Sequence, residues 1–180
     1  MKILATWKIA FAVLSLIFSP LSYANELEAV DGPNVRVLRL EDGSRAVFVR
    51  SPNGRVLTKK TFSANGVVTM VTIYKMDSGG NPLGCKIFDG SKNELFKVSY
   101  GYHKNTGLLE QERMFDSRVV RKDPRTGNEM PVQIIRYLYD GEGKRSAPMV
   151  FNLLPGKTFE QVFGVKSSAL ETNPFRDGKP

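Results

Sequence analysis

Eight turn motifs built on glycine, asparagine and aspartate recur along this chain between residues 42 and 143. They are Asp42-Gly43, Asn53-Gly54, Asn65-Gly66, Gly79-Gly80-Asn81, Asp89-Gly90, Asn105-Thr106-Gly107, Thr126-Gly127-Asn128 and Gly141-Glu142-Gly143. These residue types tolerate the positive φ that tight turns between antiparallel strands require. Connections this short cannot carry the chain across to a parallel neighbour. The sequence therefore predicts an all-β fold, an antiparallel meander of about nine strands.

The runs between these turns are rich in β-branched and aromatic residues, as strands are. In residues 94–103, Phe96, Val98, Tyr100 and Tyr102 alternate with polar residues, which predicts a strand with one dry face and one wet face. Residues 67–76 are apolar at both odd and even positions and hence on both faces of a strand, which predicts a central strand covered on both sides. Because a flat sheet of nine strands would expose its edges and one apolar face, we expect the sheet to be curled or two-layered.

The pattern changes towards the C-terminus. Thr158 is suited to cap a helix at about residues 158–166, in which Phe159 and Phe163 share one face. We expect this apolar stripe to cover the open face or end of the sheet. Residues 167–180 are rich in proline, glycine and polar side chains, and we expect a frayed tail there.

The N-terminus has the features of a secretory signal peptide. Lys2 and Lys8 precede an apolar run at residues 9–18, and small residues lie at Ser22 and Ala24. The run is shorter than the ~20 apolar residues that a membrane-spanning helix needs. We therefore expect cleavage after Ala24 and no transmembrane segment in the exported protein.

Cleavage there leaves a single domain at residues 25–166, followed by the tail. The only cysteine, Cys85, lies far from the cleavage site, so anchoring as a bacterial lipoprotein is excluded and no internal disulfide is available. We expect a periplasmic or extracellular protein. Its oligomeric state is left open.

Positive charge is the second compositional feature. Removal of Lys2 and Lys8 from a chain of net charge +8 leaves +6, which favours anionic partners through long-range attraction that salt screens. The least regular stretch, residues 117–131, is interpreted as a long solvated basic loop. Its cations are Arg118, Arg121, Lys122 and Arg125.

Three hairpins resemble the tyrosine-aspartate repeats of the Rhs type, in which Tyr-x-Tyr-Asp is followed by a glycine-centred turn. Tyr137-Leu138-Tyr139-Asp140-Gly141 fits this pattern, Tyr100-Gly101-Tyr102-His103 fits with histidine replacing aspartate, and Tyr74-Lys75-Met76-Asp77 fits loosely. The resemblance spans residues 66–151. It implies β shells and cell-surface structures without catalytic residues, and hence a scaffold or binding role. Separately, we take the basic loop with the neighbouring Tyr100, Tyr102, Tyr137 and Tyr139 as the candidate binding surface.

Nucleophilic catalysis would need Cys85 exposed beside a base, and the only histidine is His103. Alternation places Cys85 on the same face as Leu83 and Ile87, which favours a small buried hydrophobic residue. One histidine and one cysteine cannot supply the ligands of a zinc site, and the acids in the turns lack calcium-loop spacing. We predict no metal site and no cofactor.

Glu110 and Glu112 lie two apart on one strand and hence on one face, as a pair of glycosidase carboxylates would. Their mixed-charge surroundings are typical of a wet strand, so we predict a solvated pair and no catalytic residue. The glycines lie in hairpin turns rather than in a phosphate-binding loop, and export argues against a nucleic-acid partner.

Two functional hypotheses follow. The first is a noncatalytic exported module that binds an anionic envelope component or another envelope protein. The alternative is a periplasmic carrier, which holds a lipid or other apolar ligand between the concave face of a curled sheet and the C-terminal helix.

Overall fold

The computed structural model describes residues 32–153, 158–165, 167–170 and 173–175. The predicted signal peptide and its cleavage site lie outside these residues. The described chain contains nine strands and one helix: β1 Val35–Arg39, β2 Arg45–Arg50, β3 Val56–Phe62, β4 Val68–Met76, β5 Pro82–Asp89, β6 Glu94–Tyr102, β7 Leu109–Asp116, β8 Gln133–Arg136, β9 Met149–Asn152 and α1 Phe159–Phe163.

The nine strands form one antiparallel sheet in sequence order, β1 to β9, and the sheet is not closed. Seven of the eight predicted turns lie within connections between successive strands, and the eighth, Asp89-Gly90, begins at the last residue of β5. Gly43 and Gly66 have φ of 79° and 78°, the left-handed backbone that glycine adopts without strain. The predicted all-β meander is therefore confirmed.

One face of the sheet, called here the covered face, carries the core. Its central row runs across the register from Leu57 on β3 to Gln133 on β8, and every member is buried. The row consists of Leu57, Tyr74, Cys85, Val98, Met114 and Gln133. The alternation in residues 94–103 thus predicted the buried face of β6 correctly.

Strand β4 is covered on one side only, which differs from the expectation. Thr72, Tyr74 and Met76 are buried on the covered face, whereas Ile73 on the other face is 37% exposed. Ile73 is flanked by Thr58 of β3 and Lys86 of β5. Its β-branched side chain is therefore shielded by cross-strand neighbours rather than by a second layer, a setting that favours such residues in sheets.

The short C-terminal helix packs on the covered face, as predicted. Thr158 caps it, in a capping box with Gln161, and Gly164 ends it in the left-handed conformation. Phe159 is 2% exposed, and its ring meets Phe96 of β6 edge-on at 6.1 Å between centroids. The helix therefore covers the middle of the sheet.

The described residues after the helix, 167–170 and 173–175, also lie on the covered face, where a frayed tail was expected, and the rest of the predicted tail lies outside the described residues. Ser168 and Phe175 are 6% and 8% exposed, and the guanidinium groups of Arg36 and Arg50 lie 5.3 Å and 4.7 Å from the Phe175 ring centroid. Polar composition suggested fraying, but hydrogen bonds of Ser167 and Ser168 and the buried Phe175 ring hold the described part of this stretch. Residues 158–165, 167–170 and 173–175 together are called the cover segment below.

The stretch at residues 117–131 is more regular than predicted. Lys122 pairs with Glu129 in an isolated antiparallel bridge, and the turn between them is closed by a Gly127 amide that donates to the Asp123 carbonyl at 2.8 Å. Glu129 also binds Lys97 of β6 at 2.9 Å. This connection is therefore a short hairpin fastened to the sheet.

Candidate functional site

Glu112 is the most buried charged residue of the described chain, at 1% exposed. It lies on the covered face of β7, where its Oε1 accepts hydrogen bonds from the Tyr137 hydroxyl and, at 2.6 Å, from the Ser167 hydroxyl. Its Oε2 accepts from the Ser168 hydroxyl at 3.0 Å. Both carboxyl oxygens therefore accept hydrogen bonds from hydroxyl groups, which offsets the free-energy cost of removing the carboxyl group from water.

A second group of hydroxyls converges on the backbone of Ser168. Tyr74 and Tyr100 both donate to the Ser168 carbonyl oxygen, at 3.1 Å and 3.0 Å. The Sγ atom of Cys85 lies 3.3 Å from the Tyr100 hydroxyl. Side chains from β4, β5 and β6 thus meet the cover segment at one residue.

These buried groups are held in their neutral forms. Burial, reinforced by the nearby Glu112 charge, raises the pKa values of Tyr74 and Tyr100 well above the ordinary tyrosine value. Burial likewise raises the pKa of Tyr137, and it raises the pKa of the Cys85 thiol to about 12. At neutral pH none of the four is a nucleophile or base.

A cavity of about 630 Å³ lies between the covered face and the cover segment. Nine of its sixteen described lining residues are apolar, five carry hydroxyls and two are cations, Lys59 and Arg145. Phe48, Met70, Phe159 and Leu170 are among the apolar residues. Its volume and mostly apolar lining match those of small-molecule sites in proteins.

The cavity also shows that the sheet curves. It is lined by Leu38 of β1 and by Arg145 in the connection between β8 and β9. Strands β1 and β8 are seven steps apart, which in a flat sheet would separate them by roughly 34 Å at about 4.8 Å per step. A single cavity reaches both because the unclosed sheet is curled around it.

A smaller cavity of about 390 Å³ lies at the β2–β3 and β4–β5 turns, beside Phe175. It is lined largely by turn residues, among them Asn53, Gly79 and Gly80. The larger cavity has the longer apolar wall and lies inside the curl of the sheet, so it is the better candidate for a ligand site.

The four tyrosines proposed as binding residues do not share one exposed surface. Tyr100 and Tyr137 are buried in the hydroxyl clusters described above. Tyr102 and Tyr139 are half-buried, and their hydroxyls donate to the backbone carbonyls of Pro82 and Leu109. Of the four, Tyr137 lines the large cavity.

The four cations proposed with them are exposed on the hairpin at residues 117–131. Arg118 is bound to Asp116 at 2.8 Å, and that contact lowers the pKa of the Asp116 carboxyl. Arg121, Lys122 and Arg125 lie further along the hairpin. The structure therefore brings the cations together on one hairpin but separates them from the buried tyrosines.

Cys85 and His103 do not form a catalytic pair. Cys85 is 6% exposed in the core, whereas His103 is exposed in the β6–β7 turn, where its Nδ1 lies 3.0 Å from the Thr106 hydroxyl. His103 is five residues beyond Val98, the cross-strand partner of Cys85, which is roughly 17 Å along a strand.

Glu110 and Glu112 differ in environment, so the predicted solvated pair is half wrong. Glu110 is exposed, and Glu112 is buried behind hydroxyls and is absent from the lining of both cavities described above. The sequence contained an indication that Glu112 is buried, because Glu112 lies two residues before the apolar Met114 and therefore on the same face of β7. A buried carboxylate needs partners, and those partners are serines 55 and 56 residues away.

The sequence interpretation also missed Lys59 and Arg145. Lys59 is followed by Lys60, and adjacent residues of a strand point to opposite faces, so one of the two had to lie on the covered face. Arg145 lies in a loop without periodicity. No local signal places it against Tyr137, whose ring centroid is 5.0 Å from the guanidinium carbon.

In the described part of the chain, no helix has the length and apolarity to cross a membrane. Nor do those residues group three or more histidine, cysteine or acidic side chains as a metal ion would require. Comparison of the chain with protein-family models matches none of them, and comparison with curated proteins gives no significant match. The resemblance to tyrosine-aspartate repeats stays a prediction.

Proposed function

We propose that this protein is an exported, noncatalytic carrier, which holds a small, largely apolar ligand between the curled sheet and the cover segment. The observation that carries the proposal is the cavity of about 630 Å³ with its mainly apolar lining. Apolar walls of this kind gain free energy when a ligand replaces water against them. Strands β1 to β4, the connection between β8 and β9, and the cover segment contribute residues to the walls.

The surrounding chemistry favours binding over catalysis. The four neutral groups near the cavity, Tyr74, Tyr100, Tyr137 and Cys85, donate to or contact protein atoms. Glu112 is saturated by three hydroxyls and has no accessible surface to offer a substrate. A general base must reach the proton that it removes.

Native mass spectrometry of the protein purified from its own host tests the proposal. We expect a copurifying small molecule in the wild type and binding of an uncharged fluorescent naphthylamine after delipidation. Ala169→Trp, which fills the cavity at a half-buried lining position, should abolish both signals. Ala64→Trp, in an exposed turn, is the matched control. An empty wild-type protein that fails to bind the dye would overturn the proposal.

A second candidate function is attachment to anionic envelope material through the hairpin at residues 117–131. Val119 and Val120 are each 55% exposed there and are followed at once by Arg121 and Lys122. Exposed apolar residues beside cations suit an anionic lipid surface, where charge attracts and apolar side chains insert.

Retention on vesicles of anionic phospholipid measures this second function. The double variant Arg121→Gln/Lys122→Gln should lose most of its salt-sensitive retention, whereas Lys75→Gln/Lys86→Gln, on the face of the sheet away from the cover segment, should retain more. Equal, salt-insensitive retention of wild type and both variants would contradict attachment through this hairpin.

A further inference from the structure

We propose that the face of the sheet turned away from the cover segment, called here the outer face, binds a linear acidic polysaccharide. The binding site is a stripe of five cations, one on each of the successive strands β4 to β8. It lies on the opposite side of the sheet from the large cavity, so this inference is independent of the carrier function. The members of this cationic stripe are Lys75, Lys86, Lys97, Arg113 and Arg136.

Alternation along each strand places the five cations on the outer face. Lys75 lies between the buried Tyr74 and Met76 of β4, and each of the other four likewise lies between two buried residues of its chain segment. Adjacent residues of a strand point to opposite faces, so each cation points away from the core. Four of them are exposed and Lys97 is half-buried.

The register of the sheet makes the cationic stripe continuous. Lys86 and Lys97 are direct cross-strand partners. The other three steps are diagonal, because the cross-strand partner of one cation lies two residues from the next cation on the same face. These steps join Lys75 to Lys86, Lys97 to Arg113, and Arg113 to Arg136. Long side chains reach one another over such diagonals. The stripe therefore crosses five strands over roughly 19 Å, at about 4.8 Å per strand.

The cationic stripe has an excess of positive charge. Glu94 binds Lys86 at 2.8 Å, and Glu129 binds Lys97 at 2.9 Å. No carboxylate of the described residues forms a salt bridge with the other three cations. Like charges on adjoining strands repel one another. A chain of anions along the stripe would relieve that repulsion.

The spacing of the cations suits a chain with one carboxylate on each sugar. The step from strand to strand, about 4.8 Å, is close to the length that one sugar adds to an extended polysaccharide. The phosphates of a B-DNA strand are only about 3.4 Å apart. Uncharged polar side chains also lie among the cations: Ser99 pairs with Arg113, and Gln111 pairs with Arg136. Such groups form hydrogen bonds with sugar hydroxyls.

The shape of the outer face favours a flexible chain over a lipid surface. The sheet curls around the large cavity, so the outer face is convex. A flat bilayer meets a convex surface at few points, whereas a polysaccharide chain can follow the curve and contact every strand of the stripe.

Binding of an oligogalacturonate of about eight sugars, long enough to span the stripe at about 4.8 Å per strand, tests the inference. Its dissociation constant is measured with the full exported protein by titration calorimetry. We expect binding that weakens as salt is added, because the cations are exposed. The methyl-esterified oligomer, which has the same length and no charge, should not bind. Digalacturonate, which can reach two cations at most, should bind at least about tenfold more weakly than the longer oligomer.

The variant Lys75→Gln/Arg113→Gln/Arg136→Gln removes three charges from the stripe and should weaken binding of the oligogalacturonate by about thirtyfold, about threefold for each charge. Arg121→Gln/Lys122→Gln/Arg125→Gln, on the exposed hairpin at residues 117–131, is the matched control. It makes the same change in net charge and should stay within about threefold of wild type. The single variants Lys75→Gln and Arg113→Gln carry the test if the triple variant does not fold.

Equal losses of affinity in the two triple variants would attribute binding to net charge and refute the stripe. Absence of oligogalacturonate binding by wild type, or equally tight binding of the esterified oligomer, would refute the acidic polysaccharide. Retention on anionic phospholipid vesicles that only the stripe variant loses would assign the stripe to a lipid surface and overturn the proposal. Binding of the naphthylamine dye in the cavity reports on the carrier function separately and should be the same in all of these variants.

Discussion

The Ser168 hydroxyl donates a hydrogen bond to Oε2 of Glu112 over 3.0 Å, although 56 positions separate the two residues in the chain. With Ser167 and Tyr137 on the other oxygen, this bond fixes the cover segment to the middle of the sheet. The acid therefore acts as an anchor for the wall of the cavity.

Replacement of Glu112 by glutamine should loosen this anchor. The amide offers one acceptor oxygen in place of two and presents N–H donors to hydroxyls that are already donating. We expect a loss of about 1–3 kcal/mol in the free energy of unfolding, measured by urea denaturation. Limited proteolysis should cut the cover segment earlier than in wild type. Glu110→Gln, at an exposed position of the same strand, is the control and should stay within about 0.5 kcal/mol of wild type. Equal stability of the two variants would contradict the role of Glu112 in anchoring the cover segment.

Truncation of Phe159 to alanine should detach the helix. The side chain is 2% exposed, and its ring lies 6.1 Å from that of Phe96 and 4.9 Å from that of Phe163. Loss of a buried phenylalanine costs about 3–5 kcal/mol. Phe151→Ala, which removes a ring that is 47% exposed on β9, should cost far less. Similar losses for the two variants in calorimetry would argue against a packed cover segment.

Alkaline pH should destabilise the fold. In the unfolded chain Cys85 ionises near pH 8.5 and the tyrosines near pH 10, whereas in the folded protein burial raises the pKa values of Cys85, Tyr74 and Tyr100. Above pH 8.5 the unfolded state therefore binds fewer protons than the folded state. The contribution of these groups to the free energy of unfolding is complete below pH 8.5 and is lost as pH rises. Each group contributes a slope of about −1.4 kcal/mol per pH unit once its unfolded form is ionised.

Urea denaturation between pH 7 and pH 10.5 measures that slope. Cys85→Ala should flatten it from pH 8.5 upward, and Tyr100→Phe should flatten it only from about pH 10. A free energy of unfolding that stays constant across this range would contradict the conclusion that the tyrosine hydroxyls and the Cys85 thiol are buried and neutral.

The Cys85 thiol should be unreactive in the folded protein. Burial raises its pKa to about 12, and its Sγ contacts the Tyr100 hydroxyl. Thiolate is the reactive form, so an aromatic disulfide reagent should modify the native chain more than a hundredfold more slowly than the chain in urea at the same pH. Rapid modification of the native protein would show that the core opens readily at β5.

The sequence predicted the sheet well because each hairpin is a local structure. Alternation around Tyr100 and the glycine turns define strands within about ten residues, and pairing in sequence order follows from the short connections. Val98 and Tyr100 were thereby assigned to a buried face without knowledge of any distant contact.

The cavity could not be predicted in the same way. Its walls join Leu38, Lys59, Arg145 and Leu170, which no local pattern connects. Glu112 depends on serines that follow the helix, in a stretch whose composition suggests a loose tail. Contacts that span the whole chain depend on the curvature of the sheet, which alternation does not encode.

The order of the strands has a consequence for how the chain acquires its structure. Each strand pairs only with its neighbours in sequence, so the sheet grows by closing short loops at small entropic cost. The cover segment instead reaches Tyr74 across 94 residues. We expect the sheet to assemble first, with its apolar face open, and the last residues to dock at the end. For the proposed carrier, we expect that interval to let a ligand enter the incomplete site before the cover segment closes over it.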